Sequence, residues 1–171
     1  NFIKSNKLER FVRIIDTVIA RSIIEAYLNL ILLILILVPI FLHNSEIIIN
    51  NINLSFMIYI LTALFSFGVG LIILVVSSLY PVTQNLLPFI TRPLFIISGI
   101  FFSIKSIPEN LKKIIVWNPI LHFIELFRNS FYGGYIIEKD ISLEYGFYAS
   151  LTTLMIGLIL YFSFEDKLLR K

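Results

Sequence analysis

One arginine stands inside an apolar run. Arg92 lies about two turns into the stretch 86–104, which is otherwise uncharged. A basic side chain at the centre of a membrane helix costs about 2.5–3.5 kcal/mol on insertion scales, so its presence asks for a partner. Two readings follow. Arg92 meets an anionic group on a ligand, or its long stem lets the guanidinium reach lipid phosphates or another chain. A second set, His122, Glu125 and Arg128, recurs at i, i+3 and i+6 and therefore shares one helical side. These three line a polar path or bind a ligand, or they form a charged network that closes one face.

Aromatic residues crowd the same region: Trp117, Phe123, Phe127, Phe131, Tyr132 and Tyr135. Aromatic faces stack on sugar rings, but Trp and Tyr are also the usual residues of a membrane–water boundary. Nearer the start, Arg21, Glu25 and Asn29 fall at i, i+4 and i+8. The Arg21–Glu25 spacing suits an ion pair at the membrane interface, with proton coupling through Glu25 as the alternative. Catalysis finds little support, since there is no phosphate loop, no nucleophile elbow and no zinc-protease motif. With no cysteine, disulfides and thiolate chemistry are excluded. His43 and His122 are too far apart in sequence to read as a metal motif, so no metal and no cofactor is expected on this chain.

Composition sets the solvent these residues work in. Of 171 residues, 58% are hydrophobic and only 15% charged, with a mean hydropathy of +0.91. A soluble domain carries about a quarter charged residues, so lipid must solvate much of this chain. The formal charge is +3. Basic residues gather in the first 21 and last five positions, where the positive-inside rule explains them without nucleic acid.

The elements that must position these residues are helices. Residues 1–16, with Lys4, Lys7, Arg10 and Arg13 set against Phe11, Ile14 and Ile15, form an amphipathic segment for a membrane surface or a partner. Four spans are expected, at 17–42, 54–79, 86–104 and 145–164. The polar turn His43–Asn53 holds no Lys or Arg, which places it outside and Asn1 inside. Pro81, Thr83, Gln84 and Asn85 make a turn on the inner side. Small residues at i+4 spacing, Ser66/Gly70 and Ala149/Thr153/Gly157, let helices approach closely, within the chain or across a dimer. Residues 105–142 carry two short helices. Ser106 to Glu109 resembles a capping box for the first, with Ile107, Leu111, Ile114 and Ile115 as its apolar face opposite Lys112 and Lys113. Asn118-Pro119 starts the second, and Gly133-Gly134 ends it. Neither reaches the ~30 Å of a bilayer core, so they form a re-entrant or interfacial pair on the outer face. The tail 165–171 lies inside. The fold class is an all-α polytopic membrane bundle with both ends in the cytoplasm. The first apolar run is too long for a secretory signal, and a chain that begins at Asn1 is compatible with a fragment.

The run from Arg92 to Tyr135 reads RPLFxISGIFF, then a xxIP turn, then WNPxxHxIELFRxxxxxGY. It resembles the inner-membrane permease of bacterial capsular-polysaccharide exporters of the ABC-2 type. Val18–Tyr27, VIARSIIEAY, is similar to the start of the third membrane helix of that family. The resemblance covers most of the chain and implies the last four of six spans. It implies a pair of permeases above two ATP-binding subunits that hold the ATP and Mg. Lys7, Arg10, Phe11, Arg13 and Ile14 would then lie in the segment coupling to the ATPase. The cargo would be a lipid-linked polysaccharide. The substrate path inferred from the residues is Arg92, Trp117, His122, Glu125, Arg128, Tyr132 and Tyr135. Alternatives are an exporter of O-antigen, teichoic acid or a small hydrophobic compound, a membrane enzyme acting on a lipid carrier, and a scaffold without cargo.

Overall fold

A computed structural model of the chain describes residues 14–43, 51–132 and 134–169. Among the described residues there are six α-helices and one short 3-10 turn: α1 (Ile14–His43), α2 (Ile52–Leu79), α3 (Val82–Ile97), the turn Ile104–Ser106, α4 (Glu109–Ile115), α5 (Pro119–Phe131) and α6 (Leu143–Leu169). Two units divide the chain, residues 1–45 and residues 46–171.

The first unit contains α1, a single 30-residue helix. At 1.5 Å per residue it is about 45 Å long, more than a bilayer core needs. Pro39 sits in its last turns, where one missing N–H costs little. Arg21 Nε and Glu25 Oε1 lie 4.0 Å apart on its surface, so the i, i+4 pair forms at the edge of ion-pair distance.

In the second unit, α2 and α6 make the closest approach. Both are long and apolar enough to cross a membrane, as is α1. A Cβ on Gly68 would lie 2.6 Å from the backbone nitrogen of Leu154, and one on Gly157 would lie 2.7 Å from the Gly68 carbonyl oxygen. The two backbones therefore touch where only glycine fits. Ser150 Oγ adds a hydrogen bond to the Leu61 carbonyl at 3.0 Å. The expected small-residue face on α6 is in use at Gly157. On α2 the contact runs through Gly68 and Leu71, on a buried line with Ile58, Leu61 and Val75, while Ser66 and Gly70 are exposed. Small residues at i+4 show only that a close face is sterically open. The buried seam follows the alternating three- and four-residue spacing that keeps apolar positions on one line.

The core occupies one end of this unit. Ile58 and Leu61 of α2 meet Leu121, Phe123 and Leu126 of α5, together with Ile104 and Ile141. Phe65 and Phe123 stack with centroids 5.7 Å apart, and Gly146 makes room for the Phe123 ring. Ser55 Oγ and Ser130 Oγ join α2 to α5 at 2.8 Å.

Four sequence expectations are revised. The helix expected over 86–104 runs instead from Val82 to Ile97, followed by a turn at Gly99 with φ of +81°. Its 16 residues reach about 24 Å. Thr83, Gln84 and Asn85 are its first turn rather than a loop, with Pro81 as N-cap. The capping box does not form either. Pro108 disfavours the helical region for the residue before it, and Ile107 is extended at φ −95°, ψ 136°. Ser106 therefore bonds back to the Ser103 carbonyl, and α4 begins only at Glu109. On α4 itself, Lys112 is the buried residue, while Leu111 and Ile114 face out. The carboxylates of Glu138 and Asp140 draw Lys112 inward. By contrast, Asn118 caps α5 as its sequence dictates, its Oδ1 accepting from the Ile120 N–H with Pro119 at the first helical position.

Candidate functional site

The site is built where α3 ends. Past Ile97 the chain must turn, and the carbonyls of the irregular segment that follows have no helical partners. Arg128, one turn from the end of α5, supplies replacements. Its Nη2 donates to the carbonyl oxygens of Gly99 at 2.6 Å and Ile100 at 2.9 Å. Its Nη1 donates to Phe102 O and to Glu125 Oε1, both at 3.0 Å. Only a planar guanidinium offers donors in that fork.

Glu125 is 1% exposed and would be costly alone. Its Oε1 also accepts the Ile104 N–H at 3.2 Å, and its Oε2 accepts from the Tyr135 hydroxyl. A carboxylate cannot donate, so Tyr135 is the donor there. Ser103 Oγ, 2.9 Å away, then gives its own proton to the Tyr135 oxygen. Burial raises the Tyr135 pKa above its ordinary 10.0, with the Glu125 bond adding to it. The phenol thus stays a donor. Asn129 Nδ2 holds the Tyr135 carbonyl at 2.6 Å. Four segments meet in this network: the end of α3, the 3-10 turn, α5 and the strap after it.

His122 faces the same interior but bonds elsewhere. Its Nδ1 accepts the Ser142 N–H at 3.1 Å just before α6. The other nitrogen, Nε2, must then carry the proton and donate to Val116 O at 2.8 Å, at the end of α4. Burial lowers the His122 pKa below 6.5, in keeping with a neutral ring. The ring also packs on Tyr145, centroid to centroid 4.5 Å. Beside it, Lys112 Nζ lies 3.2 Å from Glu138, 3.7 Å from Asp140 and 3.9 Å from Glu109. The Glu138 bond, first, and then the surrounding negative charge raise its pKa above 10.5.

Of the expected site residues, Glu125, Arg128 and Tyr135 are brought together, and His122 is buried close by in sequence with separate partners. Arg92, Trp117 and Tyr132 are exposed, and Tyr132 meets the network through its backbone, its N–H donating to the Arg128 carbonyl and its carbonyl accepting the Tyr135 N–H. Arg21 and Glu25 lie on α1 in the other unit. Lys7, Arg10, Phe11 and Arg13 lie outside the described residues, and Ile14 is the first residue of α1. Sequence reasoning missed Lys112, Ser103 and Asn129. Lys112 had a signal in the acidic pair Glu138 and Asp140, but they are 26 and 28 positions away in sequence, beyond any local pattern.

Long apolar helices and a polar lock around one helix break define a polytopic all-α membrane protein. The chain belongs to the ABC-2 type transporter family, whose description matches residues 3–132. It is 37% identical over 160 residues to the polysialic acid transport protein KpsM of Escherichia coli, covering 94% of this chain and 62% of that protein. The capsule polysaccharide export inner-membrane protein BexB of Haemophilus influenzae is 28% identical over 159 residues, 91% of this chain and 58% of its own. The corresponding protein CtrC of Neisseria meningitidis is 25% identical over 149 residues, 87% and 56%. The chain spans about six-tenths of the length of these curated relatives.

Proposed function

We propose that this chain is part of the permease of an ATP-driven exporter that moves capsular, lipid-linked polysaccharide across the bacterial inner membrane. The observation that carries the reading is the similarity to KpsM over 94% of the chain. The fold agrees with it, since long apolar helices and a buried polar lock suit a membrane conduit. On this reading ATP is hydrolysed by a separate subunit, which contacts residues 1–16 through Lys7, Arg10, Phe11, Arg13 and Ile14. Two permeases pair, and both ends of the chain lie in the cytoplasm. The 24 Å of α3 and the turn after it together make the third crossing.

The expected substrate path divides in two. Glu125, Arg128, His122 and Tyr135 shape the outer end of the path through their bonds to the chain itself. Arg92, Trp117 and Tyr132 are free to meet the cargo or its lipid.

The test is complementation. The chain, within its full-length protein, should restore surface polysaccharide to a strain whose capsule permease gene is deleted, and an ATP-hydrolysing subunit should co-purify with it. Restored insertion without export, and no ATPase in the purified material, would reject the exporter reading.

A further inference from the structure

The inward turn of Lys112 has a counterpart on the other side of α4. Leu111, Ile114 and Trp117 recur at i, i+3 and i+6 and are 52%, 70% and 77% exposed. Three large apolar side chains are thus exposed along α4 and the turn after it, where the Trp117 N–H bonds back to the Ile114 carbonyl. They make a ridge on a segment that crosses nothing, since the seven residues of α4 extend only about 10 Å. Lys113, exposed between Leu111 and Ile114, adds a positive charge to the same segment.

The height of this ridge is fixed by a bond. Tyr145 Oη donates to the Trp117 carbonyl oxygen at 2.7 Å. Tyr145 belongs to the first turn of α6, whose apolar span begins at Leu143. His122 strengthens the tie, packing on the Tyr145 ring while bonded to the end of α4 and the start of α6. Trp117 is therefore held level with the point where α6 passes from water into lipid, the depth at which Trp and Tyr are most favourable. A cationic Lys113 beside apolar side chains suits phosphates above and acyl chains below.

We propose that Leu111, Ile114 and Trp117 form a lipid anchor, a ridge lying in the headgroup–acyl boundary of the leaflet at the Leu143 end of α6. Its partner is the bilayer itself, whatever the cargo and whichever side of the membrane that leaflet faces. The anchor holds α4, and through it the start of α5, at a set depth.

Trp117 is the sole tryptophan of the 171 residues and reports directly. The full-length protein, with any tryptophan beyond these residues replaced by Phe, is reconstituted in phosphatidylcholine–phosphatidylglycerol vesicles. The anchor requires blue-shifted emission and loss of most of it to lipid brominated near the glycerol end. Lipid brominated near the chain end should quench less, and aqueous iodide little. Quenching by iodide as strong as for free tryptophan puts the ridge in water and overturns the proposal. So does protection from both quenchers, which would mean that protein covers it, or stronger quenching from the deep bromine. Leu111→Gln with Ile114→Gln should shift the emission to the red and admit iodide. An unchanged pattern in that variant would show that the ridge does not hold Trp117 in place. Loss of export with an intact quenching pattern would bear on the cargo and leave the anchor standing.

Discussion

Arg128 and Gly99 are 29 positions apart, and the Arg128 Nη2 donates to the Gly99 carbonyl oxygen at 2.6 Å. That bond ties the end of α5 to the residue at which α3 turns. Gly99 has φ of +81°, and a Cβ there would sit 2.5 Å from Leu121 Cδ1. Arginine and glycine are thus both needed at this corner, one to gather the carbonyls and one to expose them.

Arg128→Ala should lower stability by about 3 kcal/mol, because it strands the buried Glu125 carboxylate and three carbonyls. Arg128→Lys should recover little of the loss, since an ammonium cannot span that fork. Thermal unfolding in detergent, followed by size-exclusion chromatography, checks both. A lysine variant as stable as the parent would show that the charge alone suffices.

The backbone contact between α2 and α6 makes a sharp positional contrast. Gly68→Ala and Gly157→Ala should each cost about 1–3 kcal/mol by overpacking against backbone. Gly70→Ala, with nothing within 4 Å of the new Cβ, has no such clash to resolve. It should stay within about 0.5 kcal/mol. The same melting experiment ranks the three.

His122 gives a pH dependence whose sign is set. Its folded pKa lies below 6.5, lowered first by burial. Between the folded and unfolded values the unfolded chain binds more protons, so stability is full above 6.5 and falls as the pH drops towards the folded value. Melting temperature should decline from about pH 7 to about pH 5, and His122→Gln should flatten that part of the curve. An identical slope in the variant would assign the decline to other groups.

Lys112→Met leaves Glu109, Glu138 and Asp140 without their shared cation. Hydrogen exchange at the Ile141 amide, which donates to the Glu138 carbonyl at 3.0 Å, should speed up while α2 keeps its protection. Unchanged exchange would mean that the strap is held by its backbone bonds alone.

Arg92 lies on α3, none of whose residues is buried in the unit. Arg92→Ala should therefore leave melting unchanged and impair export, with Arg92→Lys less affected. Export at the parental level from both variants would remove Arg92 from the path.

Local chemistry was legible in the sequence wherever it stayed local. Asn118-Pro119 announces a helix start because cap and first turn are adjacent, and α2 could be read because no charge interrupts 47–91. The end of α3 was hidden, since the apolar run continues past Ile97 while the backbone turns at Gly99. The side of α4 that faces inward was hidden too. The apolar face of a short helix is expected to turn in, but here Leu111 and Ile114 stay exposed while Lys112 turns in towards three carboxylates. The i, i+3, i+6 rule placed Glu125 and Arg128 on one side of α5. It could not show that their partners are the chain's own backbone N–H and carbonyl groups, because those lie 21 to 29 positions away.

The contact between Ser150 and Leu61 separates residues made 89 positions apart. During synthesis the ribosome therefore makes α2 well before α6, and the notch at Gly68 can close only after Gly157 has followed it.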